Sequence, residues 1–196
     1  DGPTQMVESG KNVLLDWSKR EAEAFRPAPS EEEAEKLWEI RRACSSAMFE
    51  LGDSKLNEDV VVPLHRQADL IEKVEQIREK YRVSIAVFGH AGDGNLHVNI
   101  MHHREDLEES RRAREALGEL MEAVVELQGA ISGEHGIGLA KTPFIHLQLS
   151  EAEIATMQRI KKALDPNNIL NPGKLFEPYE VWDKTKETFR FPWDHR

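Results

Sequence analysis

The feature that most constrains this chain is an Asp93-Gly94 pair set between two runs of alternating apolar residues, SIAVFGHAGDGNLHVNIM at 84–101. Such a pair is the strongest short-range signal for a β-hairpin with a two-residue turn. That turn would pair Gly92 with Asn95 and Ala91 with Leu96, and would set His90 directly opposite His97. Side chains alternate along a strand, so Ile85, Val87, Leu96, Val98 and Ile100 share one face while His90, His97 and Asn99 share the other. The first face is expected to be core and the second to carry chemistry.

Residues opposed on antiparallel strands have Cβ atoms about 4.5–5.5 Å apart, close enough for two imidazoles to bind one metal ion. Two histidines that each hydrogen-bond a loop would satisfy the same spacing. Gly89, Gly92 and Gly94 leave little side chain around the turn, which allows a ligand to approach the backbone closely. Further along, AISGEHGIGLA at 130–140 ends a short apolar stretch in Ser132-Gly133 and holds Glu134-His135 between glycines. A carboxylate and an imidazole there can supply a third ligand and a general base, although a surface turn would explain that stretch taken alone. Together, His90, His97 and Glu134 as ligands with His135 as catalytic base fit a catalytic metal site that keeps open positions. The mixed nitrogen and oxygen donors suit Zn²⁺, Mn²⁺ or Fe²⁺.

Three segments, GHAGDGNLH at 89–97, SGEHGIGLAK at 132–141 and LDPNNILNPGKLF at 164–176, resemble the signature blocks of the C-terminal domain of FAD-linked oxidases. That family includes the FAD-binding subunit of glycolate oxidase, D-lactate dehydrogenase and D-2-hydroxyglutarate dehydrogenase. The likeness runs from about Trp38 to Phe176. It implies a ferredoxin-like arrangement with added helices and the oxidation of a small D-2-hydroxy acid, glycolate or D-lactate first, with hydride passing from C2 to FAD. It also implies substrate-carboxylate contacts from Arg41, in a W-x-x-R pattern with Trp38, and from Asn99. Lys55 matches a basic residue ahead of a strand in some relatives, at a departing spacing, and Asn171 and Lys174 match a segment that reaches the flavin.

The resemblance further implies partner subunits, including an iron-sulfur one, and leaves room for a homo-oligomer. The Gly-rich pyrophosphate-binding half of such enzymes is not in this sequence, and the chain opens on DGPTQMVESG without a targeting pattern. Residues 1–196 therefore read as the C-terminal substrate domain of a longer flavoenzyme whose N-terminal FAD-binding domain is absent, inactive by itself, with residues 177–196 as an aromatic tail. Two other readings stay open at this level: a metal-dependent hydrolase using the same ligands, and a non-catalytic subunit-docking module.

The remaining chain supplies the frame. Helical spacing is expected over 7–25, broken by Gly10. A capping box of Ser30 and Glu33 opens a helix to about Leu51, whose apolar stripe is Leu37, Ile40, Cys44 and Met48. Helices are also expected over 64–81, over 105–128 with Gly129 as C-cap, and after the Ser150–Glu153 capping box. Strands near 59–64, 84–89, 96–101 and 129–132 complete an α+β domain with a mainly antiparallel sheet covered by helices on one face. His102 and His103 are expected at the surface. A formal net charge of −10 argues against nucleic-acid and anionic-membrane partners. A lone cysteine, Cys44, is expected as a buried thiol in a reducing compartment, and the protein as cytoplasmic, with any membrane association coming through partner subunits.

Overall fold

The computed structural model describes residues 3–23 and 27–177. The chain divides into two compact units, Asp1–Ala47 and Met48–Arg196. In the first, helix α1 spans Thr4–Glu21 and runs unbroken through Gly10. A helical glycine costs only about 1 kcal/mol relative to alanine, too little to break an otherwise regular helix. Phe25, the expected end of that pattern, lies outside the described residues, as do the aromatics of the tail. Helix α2, Glu31–Ala47, starts where Ser30 Oγ accepts the Glu33 N–H at 3.3 Å. Of its expected stripe only Met48, just past the helix end, is buried: Leu37 and Ile40 are exposed and Cys44 is half-buried. Spacing reveals which face of a helix is apolar, and burial then requires a surface to meet it.

The second unit carries the sheet. Strand β1 spans Ser54–Val61, starting earlier than expected because Lys55, Asn57 and Asp59 alternate with Leu56, Glu58 and Val60 and mask the apolar pattern. Helix α3, Gln67–Tyr81, leads to β2, Ser84–His90, and β3, Asn95–His102. Helix α4, Leu107–Glu126, follows. The strands form an antiparallel sheet in the order β1-β3-β2. The strand expected at 129–132 is reduced to a single bridge between Val61 and Ala130 on the outer side of β1. Beyond Ala130 the chain leaves the ladder, and the Ile131 N–H turns to Gln148 Oε1 at 3.0 Å. With that bridge as a vestigial last strand, the order is that of a ferredoxin-like βαββαβ unit.

Leu56, Val60, Val98 and Ile100 meet Leu70, Val74 and Ile77 of α3 and Leu117, Leu120 and Val124 of α4 in one core. Each such side chain contributes about 1.5–3 kcal/mol when fully buried. His102 closes β3 inside this unit, buried with Nδ1 3.0 Å from Ser110 Oγ, rather than at the surface as expected. Serine 110 lies on the first turns of α4, so the helix folds back over the strand end. His103 is exposed and pairs with Glu109. Helix α5, Ile145–Gln148, and helix α6, Glu151–Leu164, complete the α-helices of the described residues. Ser150 and Glu153 form the expected capping box at the start of α6. Among the described residues no helix is long and apolar enough to cross a membrane.

The end of α4 differs from expectation in an informative way. Gln128, not Gly129, takes the left-handed conformation at φ 60°. The Gln128 N–H bonds Val125 O and the Gly129 N–H bonds Val124 O, both at 2.9 Å, the pattern of a Schellman cap. Gly129 serves a different need, since a Cβ there would lie 2.4 Å from Val61 O. Gly129→Ala should therefore push the 129–131 segment off β1 and lower stability by about 1–3 kcal/mol. Urea unfolding would show this, and an unchanged midpoint would contradict it.

Candidate metal and active site

The hairpin that presents the histidines is built on a four-residue turn, 91–94, instead of the expected two. The Asp93 N–H bonds His90 O at 2.9 Å, and Gly94 turns at φ 74° with its carbonyl accepting the Val62 N–H at 3.0 Å. A side chain at Gly94 would strike Val62 O at 2.1 Å, so contact with the chain leaving β1 sets the turn. His90 accordingly pairs with Asn95, and Phe88, not His90, stands opposite His97. Two extra turn residues shift the register by two, which preserves the face of every side chain. His90, His97 and Asn99 still share one face, and β1 adds Asp59 beside His97 and Asn57 beside Asn99.

On that face His97 is the centre. Its ring is buried and lies between His90, edge-on at a centroid distance of 5.7 Å, and His135, stacked at 5.4 Å. Phe88 flanks it at 5.4 Å. His97 Nε2 is 3.7 Å from Glu134 Oε1, and His135 Nε2 is 4.0 Å from the same oxygen. The hairpin and the Glu134-His135 segment, distant in sequence, thus meet around one imidazole.

What carries Glu134 and His135 there is Asp59, a residue not singled out from the sequence. Its carboxylate is fully buried, and Oδ2 accepts the N–H groups of Gly133, Glu134 and His135 at 2.9, 2.8 and 2.8 Å. Oδ1 accepts Asn95 Nδ2 at 2.5 Å. Gly133 lies so close that a Cβ would be 2.0 Å from Asn95 Nδ2 and 2.6 Å from Asp59 Oδ1. Burial pushes the Asp59 carboxyl up, but the His135 N–H, the Asn95 amide, the Glu134 N–H and the Lys141 charge outweigh it and hold the group at about 2. The sequence signal available was an acid at the head of a valine run, a position that burial makes costly unless the acid has work to do.

Two sets of donors are close enough to hold one cation: His90, His97 and Glu134, and Asp59, His97 and His135, each with its donor atoms within 4.8 Å of one another. The first set fits better, because both Asp59 oxygens already accept N–H groups, whereas His90 and Glu134 are exposed side chains. Burial lowers the His97 pKa, with His135 and His90 adding to the fall and Asp59 and Glu134 opposing it. The neutral imidazole is the form that ligates metal. Asn95 and Asn99 flank His97 on β3, and the buried Oδ1 of each has no protein donor. Asp59 fixes the Asn95 amide with its nitrogen inward, and Asn99 Nδ2 bonds His97 O at 3.2 Å. The face therefore holds two buried carbonyl acceptors without a protein donor beside a group of three candidate metal donors.

Lys55, Asn171 and Lys174 lie outside this cluster. Lys55 shares the face of Asp59 on β1, four residues away, with its ammonium 5.5 Å from the centroid of Phe49. Arg41 is on α2, in the first unit. Asn171 and Lys174 bond each other at 3.0 Å in a turn where the Leu175 N–H reaches Gly138 O at 3.2 Å. That contact ties the C-terminal turn to the segment carrying Glu134 and His135.

A buried histidine on a polar sheet face, with a second histidine and a carboxylate close enough to share one cation, marks an α+β domain with a candidate site on its sheet. The chain belongs to the family of FAD linked oxidases, C-terminal domain, whose model matches residues 12–175. It is 40% identical over 177 residues to glycolate oxidase subunit GlcD of Bacillus subtilis, covering 90% of this chain. It is 37% identical over 165 residues, 83% of the chain, to the mitochondrial D-lactate dehydrogenase [cytochrome] of Arabidopsis thaliana. To the D-2-hydroxyglutarate dehydrogenase of Xanthomonas citri it is 36% identical over 158 residues, 78% of the chain. It spans 38%, 29% and 33% of the lengths of these three relatives.

The Asp59 geometry carries a pH consequence. Its native pKa of about 2 lies below the ordinary 3.8, so its stabilisation is complete above about pH 4 and is lost as pH falls toward 2. Asp59→Asn should flatten that acid limb by roughly 2 kcal/mol, measured by urea unfolding between pH 2 and 6. Identical acid limbs for variant and wild type would contradict the assignment.

Proposed function

We propose that this chain is the substrate domain of an FAD-dependent 2-hydroxy-acid dehydrogenase or oxidase of the glycolate or D-lactate type. The observation that carries the reading is the convergence of His90, Glu134 and His135 on the buried His97. Family membership and the three relatives support the reaction class.

In this reading His90, His97 and Glu134 hold a divalent ion, Zn²⁺, Mn²⁺ or Fe²⁺, which when bound supplies Lewis-acid polarisation of the substrate hydroxyl. FAD supplies the two-electron acceptor for the C2 hydride. His135 stands beside the ligand set without belonging to it and takes the hydroxyl proton, a task suited to an imidazole near neutral pH. The substrate loses that proton and one hydride and leaves as the 2-oxo acid. Asn99, with a buried amide held by its own strand and by Ala86 O, orients the substrate beside His97. By the family resemblance, Arg41 and Lys55 would be contacts for the substrate carboxylate, and Asn171 and Lys174 would be contacts for the flavin.

The glycolate oxidase relatives are named as subunits, and we extend to this protein an assembly with partner chains, an iron-sulfur one among them. The full-length flavoprotein, assayed with an artificial electron acceptor, should oxidise small D-2-hydroxy acids. His135→Asn should lower kcat by about 10²–10⁴-fold while substrate still binds. Unchanged turnover in that variant, or ester hydrolysis in place of hydroxy-acid oxidation, would overturn the reading.

A further inference from the structure

We propose that Asp59 and Lys141 are positioning residues that clamp both ends of the 133–141 segment to β1, so that one residue of the sheet sets the orientation of Glu134 and His135. The inference rests on the reading of Glu134 as a ligand and His135 as the base.

At the near end the clamp is the Asp59 side chain, with three consecutive N–H groups on Oδ2. At the far end it is the Asp59 main chain, whose carbonyl accepts Lys141 Nζ at 2.5 Å. Lys141 is 4% exposed, and its ammonium also lies 3.7 Å from Glu58 Oε2 and 3.9 Å from Asp59 Oδ2. Lysine is almost never this buried unless paired. Here it reaches a carbonyl of β1 beyond the single bridge at Val61, on an edge that no further strand covers among the described residues, and shares that carbonyl with the Gly133 N–H at 3.3 Å.

Between the two ends the backbone turns through Gly136 at φ 77° and Gly138 at φ 56°, with open space where a side chain would stand on either. Ile137 packs against the core between them. Gly138 O is held mid-segment by the Leu175 N–H and Thr142 Oγ1, while the two ends of the segment, including the one that carries Glu134 and His135, are fixed by Asp59. Asp59 donates no atom to the His90, His97 and Glu134 set, so its influence on a cation held there runs through the residues it aims. Second-layer groups of this kind typically govern metal affinity or activity by about 10–100-fold.

The test uses the full-length flavoprotein with its FAD content and thermal midpoint as fold controls. Amide hydrogen exchange is read at 133–135, and zinc affinity is read by competition with a chromogenic chelator. Asp59→Asn should speed exchange at 133–135 and weaken zinc binding about 10–100-fold. Lys141→Met should do the same to a smaller extent, with Lys141→Arg restoring part of the loss. In a Glu134→Ala background the zinc effect of Asp59→Asn should vanish, since a group acting through a ligand has nothing left to position. Wild-type exchange and zinc affinity in Asp59→Asn would overturn the inference, as would additivity with Glu134→Ala. If Asp59→Asn does not fold, wild-type behaviour of Lys141→Met overturns it instead. Wild-type protein that binds no zinc removes the ligand reading, whereas the exchange result separately decides the clamp.

Discussion

One buried carboxylate holds the site together. A carboxylate taken out of water is costly unless hydrogen bonds and charge replace its hydration. Asp59 receives N–H groups from Gly133, Glu134, His135 and Asn95, with Lys141 behind it. Three successive N–H groups on one oxygen form a backbone nest, an arrangement that favours an anion strongly. The same bonds tie three parts of the chain at one point: β1, the start of β3 and the Glu134-His135 segment.

The sheet separates stability from chemistry. Its helix-covered face holds Leu56, Val60, Val98 and Ile100 against α3 and α4, and these contacts do not reach the ligands. The opposite face carries Asp59, Asn95, His97 and Asn99 on two neighbouring strands. Rigid strands fix side-chain positions better than loops do, and His97, the residue shared by both candidate donor sets, sits on the central strand. The exposed partners His90 and Glu134 come from a turn end and a hinged segment, where a ligand has access. Glu58, on the core side of β1, is the exception to the division: burial raises its pKa to about 7 against the pull of Lys141.

Much of this was legible in the sequence because strand alternation survives errors of detail. The Asp93-Gly94 pair marked the hairpin, and the two-residue register error left His90, His97 and Asn99 on their proper face. The turn is two residues longer than that pair alone implies, because Gly94 packs against Val62, which lies far away in sequence. Glu134 and His135 were legible from their glycine setting. Asp59 was not, since an acid in a strand announces nothing until the N–H groups it accepts are known. The stripe of α2 and the burial of His102 failed for a related reason, each depending on what lies across from it in space. The expected fourth strand shrank to a bridge where the N–H groups of Gly133, Glu134 and His135 turn to the Asp59 carboxylate instead of continuing the ladder.

The central claim is that His90, His97 and Glu134 form one cation site with His135 beside it. Anomalous diffraction at the zinc edge from crystals soaked in zinc measures this most directly. A single peak within roughly 2.0–2.2 Å of a nitrogen of each histidine and an oxygen of Glu134 is the predicted result. A peak on Asp59 and His135 instead, or no peak at this face, would contradict it.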